Sequence, residues 1–228
     1  DGRAQPLPCD LRKHVFTDFN TLQYNQVFGG SNEAFHEVWW FYCSSSATAI
    51  DRYVVYNYLE DIWYYGSMAR TAWLDSGLRS FPLAATYNSL LVDHENGIDD
   101  NETSTATAIP AFITSAEFDL DDGHQFMLMS RVLPDVSFEG STANSPVINM
   151  TFFPLNSSGS GYNSPTSESG VNTGAVTRSA TSPVEVYTEQ IHTRVRGRQM
   201  SMKVESSATG VQWQLGSPRV DLRADGRR

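Results

Sequence analysis

The chain has 228 residues, of which 40% are hydrophobic and 12% aromatic. This length allows one large or two medium domains with a buried core, and the aromatic content favours strands over helices. Because no apolar run approaches the roughly 20 residues of a membrane-spanning helix, the sequence predicts no membrane insertion.

The net charge of −10 is unevenly distributed along the chain. Residues 1–175 contain 7 basic and 21 acidic residues, whereas residues 176–228 contain 9 basic and 5 acidic residues. Two interpretations remain open: complementary surfaces that meet between subunits, and the solvated faces of two domains. The chain begins at Asp1 rather than Met, which leads us to expect a piece of a longer polypeptide.

Residues 1–34 are interpreted as an opening segment with one short helix. Asp10 is a suitable N-cap residue, and a helix from there to Phe19 would place Leu11, Val15 and Phe19 on one face. The rest of the sequence predicts no other helix of note.

Residues 35–107 are predicted to form a propeller-like blade region. Aromatic and β-branched runs alternate with short turns, which is typical of antiparallel sheets. The predicted strands cover residues 37–42, 50–58, 62–65, 82–86 and 89–93. The first three indicate one antiparallel meander, which is how a propeller blade is built.

Residues 108–228 are predicted to form a β-sandwich-like platform. Long β-prone segments at 108–120 and 125–136 flank an Asp-Asp-Gly turn, and further strands follow from Pro146. Residues 156–182 are rich in Ser, Gly, Thr and Asn, so we expect a long loop that is mobile or ordered by a partner. The fold class is therefore all-β.

An alternation of apolar residues breaks near Gly197. Ile191 and Val195 share one parity, whereas Met200 and Val204 share the other. Because strand side chains repeat every two residues, one extra residue there would restore the apolar face. The sequence predicts a bulge or a sharp bend at this point.

Acidic residues crowd two segments that could bind a cation. His94, Glu95, Asp99, Asp100 and Glu102 lie in one loop, and Asp119, Asp121 and Asp122 lie beside Gly123. Hard cations take six to eight such oxygens, but the spacing does not match an EF-hand. We favour a solvated acidic loop and a hairpin turn, and we predict no metal and no cofactor. A glycosidase carboxylate pair is a weaker alternative.

Several known catalytic and nucleotide-binding motifs are missing from the sequence. It contains no G-x-S-x-G elbow, no phosphate-binding G-x-x-x-x-G-K loop and no G-x-G-x-x-G turn after a strand. Cys9 and Cys43 lie in no C-x-x-C pair and near no histidine cluster, so we expect two ordinary thiols rather than a zinc site.

Arg194, Arg196 and Arg198 alternate and are predicted to project from one face of a strand. Such a stripe could contact nucleic-acid phosphates, but it lacks aromatic neighbours to stack bases, and the whole chain is acidic. We favour ion pairs with an acidic loop of a neighbouring subunit. The aromatic strands are interpreted in the same way, as core and subunit interface rather than as a sugar-binding surface.

Three groups of residues carry a resemblance to a known family. The first group is E-V-W-W-F-Y at 37–42 together with D-R-Y-V-V-Y-N-Y at 51–58, and the second is W-Y-Y-G at 63–66. The third group lies near the end of the sequence and comprises R-G-R-Q-M at 196–200, L-G-S-P-R at 215–219 and D-G-R-R at 225–228. Together they resemble the tail nozzle (tail hub) proteins of short-tailed bacteriophages, and the resemblance covers most of the chain from about Ala34.

The resemblance implies a structural virion protein rather than an enzyme. Such proteins form a ring, usually of six copies, around the DNA exit channel, and they contact an adaptor and fibres or spikes. They retain packaged DNA and then release it, so contact with double-stranded DNA is transient. The implied location is the phage tail, assembled in the host cytoplasm.

An acidic channel wall would repel DNA and keep its passage fast. We therefore expect Asp99, Asp100, Glu102, Asp121 and Asp122 to face a channel or an adjoining subunit. Two alternatives stay open: a phage-associated carbohydrate-binding or depolymerising β-protein, and a secreted β-propeller lectin.

Overall fold

The computed structural model describes residue 3 and residues 6–121, 123–155 and 179–226. The chain divides into two compact units, Asp1–Asn96 and Gly97–Arg228. The described residues are mostly β-structure in antiparallel sheets, which confirms the β-rich prediction. No helix in these ranges is long and apolar enough to cross a membrane.

The short helix near the start is confirmed, although its cap differs from the prediction. Helix α1 spans Arg12–Asp18, and Leu11 rather than Asp10 occupies the N-cap position without a side-chain cap bond. Two 3-10 segments, Thr21–Gln26 and Glu33–Phe35, follow it.

The first unit contains a four-stranded antiparallel meander in the order β1-β2-β3-β4. The strands are β1 (Phe28–Asn32), β2 (Glu37–Tyr42), β3 (Arg52–Asn57) and β4 (Ile62–Ser67). Trp39 lies opposite Val55 in the β2-β3 register, and both are buried. Because alternate side chains point to opposite faces, Trp39, Phe41 and Val55 share one apolar face of this sheet.

A second, smaller sheet packs on that face. It consists of β5 (Ala72–Leu74), β6 (Leu83–Ala85) and β7 (Leu91–Asp93), paired in chain order. The Trp73 ring stacks on Trp39 with centroids 5.2 Å apart. The Trp73 indole N–H donates to the Ser31 carbonyl at 2.7 Å, which fixes β5 against β1.

The N-terminal segment covers part of the opposite face of the meander. The His14 ring lies 4.0 Å from the Tyr65 ring, and the Trp63 indole N–H donates to the Pro8 carbonyl at 3.0 Å. Phe19 packs near Tyr42 with ring centroids 6.1 Å apart. Aromatic residues on both faces of the meander are therefore used in packing.

The second unit is built on two larger sheets, ordered β10-β16-β13-β14 and β15-β11-β18. The described strands of this unit are β8 (Asp99–Asp100), β9 (Thr107–Ala108), β10 (Ala111–Thr114), β11 (Met127–Leu133), β12 (Val136–Ser137), β13 (Val147–Leu155), β14 (Ala180–Glu185), β15 (Ile191–Gly197), β16 (Gln199–Ser206), β17 (Gln214–Leu215) and β18 (Arg219–Ala224). One buried cluster joins Met129 and Val195 of one sheet to Met150, Phe152 and Val204 of the other.

The predicted bend near Gly197 is confirmed as a change of sheet. Strand β15 ends at Gly197 and β16 begins at Gln199, yet the two strands belong to different sheets. Val195 before the corner and Met200 after it are both buried. The switch of parity in the sequence therefore marks the corner where the chain passes from one sheet to the other.

Part of the predicted Ser/Gly-rich loop, residues 156–178, lies outside the described residues. Its predicted end at 182 is wrong, because β14 already begins at Ala180 and pairs with Phe152 of β13. The predicted strand at 108–120 is also too long, since β10 covers Ala111–Thr114 and Phe118 makes only an isolated bridge to Met200.

Candidate functional site

The outer face of the β15-β11-β18 sheet is basic. Arg194 and Arg196 of β15 are exposed and alternate with the buried residues Ile191, Val195 and Gly197. The pairing places Leu128 of β11 opposite both Arg196 and Arg223. Among the described residues, five arginines lie on this surface, which we call the arginine face: Arg131, Arg194, Arg196, Arg219 and Arg223.

Two aspartates neutralise part of the charge of the arginine face. Asp221 lies 3.9 Å from Arg131 and 3.8 Å from Arg223, while Asp225 pairs with Arg196. With five arginines and these two aspartates, the formal charge of the face is about +3. Arg194 is exposed and forms no ion pair with another residue of the described ranges. The face therefore keeps positive charge that is not used within the described part of the chain.

Arg198 does not belong to the predicted strand stripe. It lies between β15 and β16, where its backbone N–H donates to the Leu155 carbonyl at 2.8 Å. Its guanidinium nevertheless lies 4.9 Å from the centre of the Phe126 ring, and that of Arg196 lies 4.0 Å from the same ring. Two cation–π contacts to one ring hold these arginines at one end of the face. The sequence pattern did not reveal this contact with Phe126.

The acidic residues predicted at a channel or interface have different structural roles. The half-buried Asp99 accepts the Gly210 N–H at 2.8 and 3.0 Å from its two oxygens, so it fixes a turn of the second unit. Asp100 is exposed and accepts the Glu102 N–H at 2.8 Å. Asp121 is exposed with φ of 57°, and Asp122 lies outside the described residues. Asp100 and Asp121 thus remain the clearest surface acids of this set.

A polar cluster inside the first unit was not predicted. The buried Glu37 carboxylate accepts the Trp39 indole N–H at 3.0 Å and also accepts the Tyr64 hydroxyl. The fully buried Asn32 amide donates to Glu37 at 3.3 Å and to Glu95 at 3.2 Å. One signal was present in the sequence, because Glu37 has the same parity as the core residues Trp39 and Phe41.

The electrostatics of this cluster shift three neighbouring groups. Loss of hydration raises the pKa of Glu95, the nearby Glu37 charge raises it further, and the Asn32 hydrogen bond lowers it. Burial is also the largest cause that raises the pKa of Tyr64, followed by its hydrogen bond to Glu37. The pKa of Tyr53 is raised by burial and by the charges of Glu37 and Glu95. The cluster therefore favours neutral phenols beside its carboxylates.

The two acidic segments considered as cation sites from the sequence are only partly described, because Asp122 of the second lies outside the described residues. Within the part of the chain that the structure describes, no three His, Cys, Asp or Glu side chains converge closely enough to hold a metal ion. Cys9 is half-buried, Cys43 is buried, and both are free thiols. Burial raises the pKa of both thiols, which disfavours the reactive thiolate.

Comparison with known proteins does not assign this arrangement to a family. The sequence matches no family model, and a search of the curated proteins gives no significant match.

Proposed function

We propose that this chain is a structural protein of a bacteriophage tail. In this proposal, copies join side by side in a ring around the DNA exit channel, as the sequence resemblance implies. The observation that carries the proposal is the arginine face, whose excess positive charge lies on one face of a three-stranded sheet in an otherwise acidic chain. Such a face is suited to bind an acidic protein surface.

The opposite charges favour contact between copies of the same chain. The arginine face of one copy would meet exposed acids of the next, for which Asp100 and Asp121 are candidates. A contact between two different surfaces of one chain is head-to-tail, and it closes into a ring when the rotation permits. Complementary charges would set the orientation of the copies and speed their association.

The architecture of each unit supports the same proposal. Propeller blades are four-stranded antiparallel sheets that pack against one another. In the first unit, the four-stranded sheet β1-β4 likewise packs against the smaller sheet β5-β7. We therefore propose a propeller-like part in the first unit. The two sheets of the second unit share one core, which supports a β-sandwich-like platform.

The remaining acidic surface suits a DNA conduit. Exposed carboxylates repel phosphates, so a wall that carries them would not grip the passing duplex. We propose that acids not used between copies face the channel, and that other tail proteins, such as an adaptor and fibres or spikes, bind the rest of the ring. The protein would then belong to the virion.

Light scattering of the purified chain tests the ring. We expect a mass of several copies that falls as salt is raised, because salt screens charge pairs at the surface. The double variant Arg194→Glu with Arg219→Glu should shift the mass towards a single chain. Lys13→Glu, an equal charge change per residue at an exposed position of α1, is the control and should keep the assembly.

Two results would reject the proposed interface. A mass of one chain at every protein and salt concentration would exclude assembly through this surface. Retention of short duplex DNA in a gel, lost in the arginine double variant, would instead assign the face to phosphate binding.

A carbohydrate-binding or depolymerising protein is a second candidate, supported by one aromatic cluster. Tyr56 lies 4.7 Å and Trp40 lies 5.7 Å from Trp63 by ring centroids, and all three rings are half-buried. A depolymerising enzyme should release reducing ends from bacterial surface glycan in a carboxylate-dependent manner. The structural proposal predicts no release by the native chain.

A further inference from the structure

Asn96 and Gly97 form the only Asn-Gly pair in the sequence, and they lie where the chain passes from the first unit to the second. The Glu95 carboxylate precedes the pair, and the Asp99 carboxylate follows it two residues later. Each of these carboxylates accepts a hydrogen bond from its own unit. The chain is therefore held on both sides of the pair, and the pair itself lies between the two points of attachment.

Within the described residues, hydrogen bonds do not restrain the pair. Asn96 and Gly97 are both exposed, and neither the Asn96 side chain nor the Gly97 N–H has a hydrogen-bond partner in these ranges. Gly97 has φ of 117°, and a Cβ at this position would meet nothing within 4 Å. Because glycine also leaves the backbone free to rotate, the Gly97 nitrogen is open to the Asn96 side chain and to solvent.

We propose that Asn96 is a site of spontaneous covalent modification, at which its side chain cyclises onto the Gly97 nitrogen. The bond between Gly97 N and Asn96 Cγ forms, and the bond between Cγ and Nδ2 breaks. Nδ2 leaves as ammonia and carries away the proton that Gly97 N loses. A water molecule then opens the cyclic imide. Attack of water at Cγ gives aspartate, whereas attack at the main-chain carbonyl carbon of Asn96 gives isoaspartate.

Other described asparagines lack this combination of a following glycine and a free amide. Asn101 is followed by Glu102, and its amide donates to the Asp99 carbonyl at 3.2 Å. Asn20 is followed by the β-branched Thr21, and both ends of its side-chain amide are hydrogen-bonded. A following side chain crowds the attacking nitrogen, and a bonded amide must first leave its partners. These asparagines should therefore stay intact while Asn96 reacts.

The modification changes the chain in two ways. Both products replace a neutral amide with a carboxylate, which adds one negative charge to an acidic chain. Isoaspartate also brings the Asn96 Cβ into the main chain, which lengthens the path from Glu95 to Asp99 by one bond. Because the reaction needs only one chain and water, this inference does not depend on the ring.

Mass spectrometry of the full chain, kept in warm and mildly alkaline buffer, tests the reaction. Cleavage after glutamate releases the peptide of residues 96–102. We expect this peptide to gain one mass unit and to separate into an isoaspartate and an aspartate form, with fragment ions that place the change at Asn96. Asn96→Gln is the matched control, because its longer side chain cyclises slowly, and its peptide should keep its mass. Conversion of Asn101 as fast as Asn96 would overturn the proposal.

Hydroxylamine, which cleaves the cyclic imide, tests whether the folded chain leaves the pair free. It should cut the native chain into fragments 1–96 and 97–228 and should leave Asn96→Gln intact. Since no local unfolding is needed, the native chain should be cut less than about tenfold more slowly than the chain in urea. A native rate lower than that would show that the fold protects the pair, and it would overturn the proposal whatever the assembly state of the chain.

Discussion

Trp73 stacks on Trp39 with an interplanar angle of 18°, and this contact joins the two sheets of the first unit. The stack depends on Gly30 in β1, because a Cβ there would lie 2.8 Å from Trp73 Cγ. The aromatic strands and a glycine in the neighbouring strand thus form one packing unit.

Gly30→Ala should therefore destabilise the first unit. The added methyl overlaps a rigid indole, and overpacking of this kind costs about 1–3 kcal/mol. Gly77→Ala is the matched control, since a Cβ at Gly77 meets nothing within 4 Å. Urea denaturation followed by tryptophan fluorescence measures the difference, and equal stability of both variants would contradict the packing argument.

Among the described residues, the hydroxyl of Tyr64 is hydrogen-bonded and that of Tyr42 is not, so removing each hydroxyl should change the free energy of unfolding in opposite directions. The Tyr42 hydroxyl is buried and has no partner in the described ranges, so Tyr42→Phe should raise the free energy of unfolding by about 1 kcal/mol. Tyr64→Phe removes a donor from the buried Glu37 and should lower it by about 1–3 kcal/mol. Chemical denaturation of the two variants checks the signs, and a loss of stability in Tyr42→Phe would reject the first.

The sequence predicted the central meander because its strands carry a strong local pattern. The predicted ranges 37–42 and 50–58 contain β2 and β3 as observed. Strand β1 was missed, because its sequence F-G-G-S-N has poor strand propensity. It forms because it pairs with β2 and because Gly30 leaves room for Trp73, which are tertiary effects that no local pattern contains.

The polar cluster could be predicted only in part, through the parity of Glu37, and the rest depends on tertiary structure in the same way. Glu95 appeared to belong with its acidic neighbours Asp99 and Asp100, yet the fold brings it to Asn32, 63 residues earlier. The arginine stripe was predictable in part, because strict alternation identifies Arg194 and Arg196. The contribution of Arg131 to the same face depends on the pairing of β11 with β15.

Alkaline pH should destabilise the protein through its buried tyrosines. Burial raises the pKa of Tyr42 from 10.0 to about 12. Above about pH 10 the unfolded chain ionises this phenol while the folded chain keeps it neutral, so the unfolded state binds fewer protons and stability falls. The contribution of Tyr42 is complete below pH 10 and is lost as pH rises towards 12.

Each such tyrosine adds a slope of up to about 1.4 kcal/mol per pH unit in this window. Tyr42→Phe should make the loss of stability less steep, whereas Tyr187→Phe, at an exposed position, should not. Urea denaturation at a series of alkaline pH values gives both slopes, and identical slopes would exclude Tyr42 as the cause.

Asp99→Ala should lower the stability of the second unit. The sequence suggests a channel or interface position for Asp99, whereas its hydrogen bonds in the structure indicate a structural role. Its carboxylate accepts the Gly210 N–H, and the loss of this charged acceptor costs about 1–2 kcal/mol. Asp121→Asn is the control, because Asp121 is exposed and asparagine also tolerates its left-handed backbone. If thermal unfolding shows no difference between them, Asp99 is not a structural residue and its interface role regains priority.

Gly197→Ala should disturb the corner at which the chain changes sheets. A Cβ there would lie 2.8 Å from the Gln199 carbonyl oxygen, 2.9 Å from Pro154 Cβ and 3.0 Å from the Leu155 nitrogen. Two of these neighbours are backbone atoms of paired strands and cannot move without breaking the register of β13 with β16. We expect a loss of about 1–3 kcal/mol in unfolding free energy.

The open position Gly77 again supplies the control, and hydrogen exchange at β13 and β16 locates the effect. If exchange increases in other strands but not in β13 and β16, Gly197 does not stabilise this corner.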